Sequence, residues 1–142
     1  TLERGLAQER ILDFRKRVGE KAYHSARDLL ARRRRTDAIA ALTQCVKVDP
    51  KGRYGDSARY LLGVSLREAK RYEEAVSIFK TTRSIEKDKN VLEEVRYWEG
   101  YSLAKLGKNN EAKEIFKVLA QEGGSHSSAA RGQLAALETV IP

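Results

Sequence analysis

Between Arg59 and Phe79 the sequence RYLLGVSLREAKRYEEAVSIF places apolar residues at Leu62, Leu66 and Ala69 and, after a polar break, at Ala75, Ile78 and Phe79, a face that Thr82 continues just beyond it. Spacings of three and four put each set on one face of a helix, so the stretch predicts two amphipathic helices joined by the turn AKRYE. So short a turn forces the pair to run antiparallel. The pattern occurs three times: AYHSARDLLARRRRTDAIAAL from residue 22 and RYWEGYSLAKLGKNNEAKEIF from residue 96 align with it without a gap, at a period of 37 residues. Tyr23, Tyr60 and Tyr97 share a column, as do Ala26, Gly63 and Gly100, and Leu29, Leu66 and Leu103. Beyond the turn come Asp37, Glu74 and Glu111, then Ala38, Ala75 and Ala112, then the bulky Leu42, Phe79 and Phe116. Self-similarity at such a period marks a repeat architecture, and the fold class it predicts is all-α.

Gly63 sits inside a helix, where glycine costs roughly 1 kcal/mol against alanine. The expected reason is packing: Gly63 and Ala75 would let two helix backbones approach closely, as would Gly100 with Ala112 and Ala26 with Ala38. Large neighbours such as Leu62, Leu66 and Phe79 fill the remaining space, each contributing about 1.5–3 kcal/mol when fully buried.

The ends fit a stacked array whose terminal units need a more polar outer face. SHSSAARGQLAALETV, residues 125–140, follows Gly123 and Gly124 and carries serines ahead of Ala130, Leu134 and Leu137, which predicts a serine-capped terminal helix. At the other end, Leu2 to about Arg33 lacks proline and keeps apolar residues at Leu6, Ile11, Phe14, Val18, Ala22 and Ala26. One long helix is expected there, with a break near Gly19 as the competing reading.

The order of leucine, glycine, a second large residue, then alanine and phenylalanine after the turn, in Leu62, Gly63, Leu66, Ala75 and Phe79, resembles the tetratricopeptide repeat. Pro50, twelve residues after Ala38, matches the proline that closes the second helix of that repeat. The chain departs from the family pattern at Arg59 and Arg96, where tryptophan is usual, and at Glu99, where leucine is usual; the second and third repeats also lack the closing proline. The resemblance covers about residues 19–122 and implies a right-handed α-α superhelix of antiparallel helix pairs. On that reading residues 1–142 form a single domain. It comprises an extension (1–18), repeats at 19–50, 56–87 and 93–122, and a capping helix (125–140).

The family's first helices line a concave surface. Its groove positions fall here on Glu20, Tyr23, Arg27 and Leu30, on Ser57, Tyr60, Val64 and Arg67, and on Glu94, Tyr97, Tyr101, Ala104 and Lys105. Tyrosines interleaved with basic groups suit an extended or helical peptide bearing acidic and apolar groups. The competing reading is that Tyr23, Tyr60 and Tyr97 pack between repeats. Family members that capture a terminal carboxylate use lysine and asparagine where this chain has Tyr23 and Arg27, then Tyr60 and Val64, so that mode is not expected.

Composition narrows the alternatives. The chain has 142 residues, 41% hydrophobic and 34% charged, with two prolines and no methionine. That balance fits a helical globular domain, and the missing methionine suggests a fragment or processed product. No apolar run approaches the ~20 residues of a membrane span, and the amino terminus lacks the apolar core of a secretion signal. A cytoplasmic location is favoured, with the bacterial cell envelope as the alternative, because the junction VDPKGRYGDSARYLLG is similar to the proline-spaced junctions of bacterial cell-envelope tetratricopeptide repeat proteins. A single cysteine, Cys45, precludes an internal disulfide and a cysteine metal cluster, and is read as a buried structural thiol. His24 and His126 have no second ligand at metal-binding spacing. No metal, cofactor or catalytic residue is expected, and the carboxylates read as solvated helix faces.

The net charge is +8, and residues 1–35 hold eleven Arg and Lys against five Asp and Glu. Arg32, Arg33, Arg34 and Arg35 overlap the first hairpin turn, where the ordinary reading is a solvated tip beside a helix C-terminus. The leading function is a non-enzymatic scaffold or adaptor that binds a partner protein or peptide. Two alternatives stand: electrostatic binding of nucleic acid or an anionic membrane through the basic amino-terminal region, and self-association into a homo-oligomer.

Overall fold

The structure, a computed structural model, describes residues 1–139. They form seven helices: α1 (Leu2–Ala31), α2 (Arg35–Val48), α3 (Gly55–Glu68), α4 (Tyr72–Ile85), α5 (Lys89–Lys105), α6 (Asn109–Glu122) and α7 (Ser127–Glu138). No strand occurs among the described residues, and the all-α expectation holds. Two compact units divide within α3, after Ser65.

In the first unit α1 packs on α2. Ala26, Ala38 and Leu42 are each 0% exposed, so the small residues of the repeat columns lie in the core as their periodicity requires. Leu2 to Ala31 is one unbroken helix. Gly19 accommodates a close approach instead of ending it: a Cβ there would lie 2.7 Å from Cβ of Asp49, the residue that terminates α2. Residues 2–17 of α1 are exposed throughout.

In the second unit α5 packs against both α4 and α6, and α6 against α7. Leu103, Ala112, Phe116, Leu119 and Ala130 form its core. Gly100 has a different neighbour from the one its column predicts. The space above it holds the Phe116 ring, two atoms of which would lie 2.9 Å from an added Cβ, with Ile115 next at 3.3 Å. The glycine therefore seats an aromatic ring on the helix backbone.

The three hairpin turns share one construction. Arg33, Lys70 and Gly107 all have positive φ, at 59°, 62° and 78°. The residue after each donates its N–H to the carbonyl five positions back: Arg34 to Leu29, Arg71 to Leu66 and Lys108 to Leu103, each at 2.9 Å. This is the Schellman closure of a helix.

The terminal helix begins without the serine cap expected of it. His126 occupies the capping position with no side-chain bond, and Ser127 Oγ donates instead to the Ala120 carbonyl at 2.9 Å. The acceptor at this corner is Glu93 of α5, which takes the His126 backbone N–H and, at 3.3 Å, the Ser125 hydroxyl. A carboxylate from a distant helix thus supplies negative charge where α7 presents free N–H groups. The His126 bond and these neighbours hold the Glu93 carboxyl below the ordinary glutamate range. Val140, the last residue of the expected capping helix, lies outside the described residues.

Candidate protein-binding surface

Of the candidate binding residues, Tyr23, Arg27, Tyr60 and Val64 belong to the first unit, and Arg67, Tyr97, Tyr101 and Lys105 to the second. Tyr60 and Val64 are half-buried. Tyr23 is only 7% exposed: it stacks on Tyr54, ring centroids 4.5 Å apart and nearly parallel, and its hydroxyl accepts from Arg27 at 3.1 Å. Tyr97 lies against Phe116 and His126, and its hydroxyl accepts from Gln133 of α7 at 3.3 Å. Both tyrosines therefore serve packing within their own units.

Arg67, Tyr101 and Lys105 are brought together, and two residues the repeat comparison did not single out complete the group. The Arg67 guanidinium lies over the Trp98 ring at 3.7 Å from its centroid. Trp98 meets Tyr101 edge-on at 5.4 Å, and Tyr101 meets Tyr72 at 6.5 Å. The Lys105 ammonium stands 5.3 Å from the Tyr101 centroid. Trp98, Tyr101 and Tyr72 are all half-buried, so one side of the cluster packs and the other meets solvent.

The construction follows from the helix. Trp98, Tyr101 and Lys105 are spaced three and four apart on α5 and share a face. Tyr72 opens α4, just past the turn at Lys70, and Arg67 closes α3. A guanidinium on an indole face gains roughly 0.5–2 kcal/mol, which orders the long Arg67 side chain before any ligand arrives. Its buried Nε has no hydrogen-bond partner among the described residues, and its ion pair with Glu68 is long, at 3.8 Å. The arrangement offers oriented donors beside flat apolar rings.

Two arginines of the run form local ion pairs. Arg32 pairs with Asp28 at 3.2 Å and Arg34 with Asp37, while Arg33 supplies the left-handed turn residue. All four side chains are exposed. Cys45 is 1% exposed, and burial raises its thiol pKa, which suits the structural role. His126 is not isolated, since Nδ1 lies 3.4 Å from Glu93, but no cluster of three metal-ligating residues occurs among the described residues. No described helix is long and apolar enough to cross a membrane.

The second unit also buries an acid. Glu99, on α5, is 1% exposed; Oε1 accepts from Arg83 at 3.2 Å, and Oε2 has no partner among the described residues. Burial raises its pKa, with Arg83 opposing.

Helical hairpins repeated at a fixed period define a helical-repeat protein. Tetratricopeptide repeat models match residues 23–87 and 94–122, and the chain belongs to the tetratricopeptide repeat family. Proteins of this family generally mediate protein–protein interaction and are typically non-enzymatic scaffolds. None of the curated proteins compared with the chain matches it.

Proposed function

We propose that the chain is an adaptor that binds a peptide segment bearing acidic and apolar groups on the surface formed by Arg67, Trp98, Tyr101 and Lys105. The observation that carries the reading is the pair of cations held on aromatic faces. Arg67 on Trp98 and Lys105 on Tyr101 set positive charge next to rings that remain half-open. An acidic side chain would take the guanidinium and ammonium donors, and an adjacent apolar one would cover the ring edges. Aromatic and arginine side chains are the ones that dominate binding energy at protein interfaces.

Calorimetry with synthetic peptides tests this. Peptides alternating Asp or Glu with Leu or Phe bind saturably, and the same peptides with lysine replacing the acids do not. Lys105→Glu weakens binding roughly tenfold or more, and Tyr101→Ala does likewise while helical circular dichroism is retained. Equal binding of acidic and basic peptides, or undiminished binding by both variants, refutes the reading. A steep salt dependence with preference for nucleic acid would support the electrostatic alternative instead.

A further inference from the structure

We infer, resting on the peptide reading above, that the apolar group selected by the Trp98 surface is an aromatic side chain in preference to an aliphatic one of equal size, so the partner is an acidic segment carrying phenylalanine or tyrosine. The surface differs from an ordinary apolar patch in what stands over its rings. The Arg67 guanidinium lies 3.7 Å from the Trp98 centroid, and the Lys105 ammonium 5.3 Å from that of Tyr101. An aromatic ring is negative on its faces and positive at its edge. A cation over one face draws the π electrons towards itself, which makes the edge and the far face more positive. Such a ring next accepts an electron-rich surface. The face of another aromatic ring supplies one, whereas the C–H surface of leucine or isoleucine is slightly positive all round.

The rings of the chain already follow this rule. Trp98 and Tyr101 lie at 77° to each other, Tyr101 and Tyr72 at 61°, and Trp98 and Tyr97 at 77°, all of them edge-on contacts. The first unit holds a cation-capped ring that takes the whole face of another: Arg53 stands over Tyr54 at 5.3 Å, and Tyr23 stacks on that same ring. At the Trp98 surface the corresponding place is open, because Trp98, Tyr101 and Tyr72 are half-buried. The polarising charges are in position before a ligand arrives. The Arg67 side chain is only 18% exposed and is held against the indole, and Lys105 follows Tyr101 by one turn of α5. A ligand ring therefore extends an existing chain of ring contacts, while the acids beside it reach the two cations.

Calorimetry with three acidic peptides that differ at one position tests this, the position holding phenylalanine, cyclohexylalanine or pentafluorophenylalanine. The three side chains are close in size, and burial of apolar surface alone favours both replacements over phenylalanine. Ring electrostatics gives the opposite order, with phenylalanine tightest and pentafluorophenylalanine, whose face is positive, weakest. The expected advantage of phenylalanine over cyclohexylalanine is roughly two- to tenfold in Kd. Lys105→Gln, at an exposed position that leaves the helical signal unchanged, should weaken binding and narrow that advantage, because Tyr101 loses the charge that polarises it. Cyclohexylalanine or pentafluorophenylalanine binding as tightly as phenylalanine overturns the inference and leaves the acidic-peptide reading standing. An advantage that Lys105→Gln leaves untouched does the same. Failure of all three peptides to bind overturns both.

Discussion

The hairpin turns provide a comparison of three equivalent sites within one chain. Arg33 and Lys70 hold left-handed backbone at φ 59° and 62°, the same role that Gly107 fills at φ 78°. A side chain in that region costs about 1–2 kcal/mol. Both side chains are exposed, so replacing them with glycine removes little packing. Glycine adds freedom to the unfolded chain, which offsets the gain by about 0.4–1 kcal/mol. Arg33→Gly and Lys70→Gly should therefore each stabilise by about 0.5–1 kcal/mol, and Gly107→Ala should destabilise by a similar amount. Nothing lies within 4 Å of a Cβ built on Gly107, so the effect there is conformational and not steric. Urea unfolding followed by circular dichroism measures all three, with the midpoint shifting and the slope unchanged. Loss of stability on Arg33→Gly and Lys70→Gly, or no cost for Gly107→Ala, would refute the reasoning.

Further predictions concern the second unit. Glu99→Leu should stabilise by about 1–3 kcal/mol, because a buried carboxylate is removed while Arg83, 40% exposed, stays hydrated. Because burial raises the folded-state pKa of Glu99, its cost is present at neutral pH and is relieved as pH falls towards the ordinary value of 4.5. Unfolding of Glu99→Gln measured from pH 7 to 4.5 should lack that relief. Glu93 has the opposite sign: its carboxyl is held low, so its contribution is present above pH 4.5 and lost as pH falls through the depressed value. Glu93→Gln should destabilise at neutral pH and flatten the acid limb of the profile. Gly100→Ala should cost about 1 kcal/mol, since overpacking against the buried Phe116 ring outweighs the helix propensity gained. Gly132→Ala on α7, with open space around it, should gain about 0.5–1 kcal/mol in the same melts.

The parts of the fold that were legible are those repeated three times. Ala38, Ala75 and Ala112 are all fully buried, because a column that must fit the same helix crossing shows itself by recurring. The left-handed turn residue also recurs at 37, yet it was hidden. Two of its three occupants are basic residues that carry no glycine signal, and the constraint lies in the backbone. Glu93 closing the start of α7 joins residues 33 apart in different helices, and no local pattern encodes such a contact. The serines of residues 125–128 suggested a nearer cap and were misleading.

The candidate surface was half legible. Arg67, Tyr101 and Lys105 followed from the family's groove positions. Trp98 and Tyr72 did not, because their columns hold His24 and Leu61 in one case and Arg35 and Asn109 in the other. A search by repetition favours residues that serve every repeat, and a binding residue needed in one place departs from its column. Tyr54 was missed for a related reason: it lies in the linker DPKGRYGD, outside the periodic helices, yet it stacks on Tyr23.

Trp98 is the chain's single tryptophan, so one indole N–H resonance reports on the proposed surface. In a nitrogen–proton correlation spectrum, titration with an acidic, leucine-containing peptide should move that resonance saturably, with a basic peptide of the same length leaving it in place and Tyr101→Ala abolishing the shift. An indole signal that stays fixed while acidic peptides bind elsewhere, or that moves equally with either charge, would contradict the account.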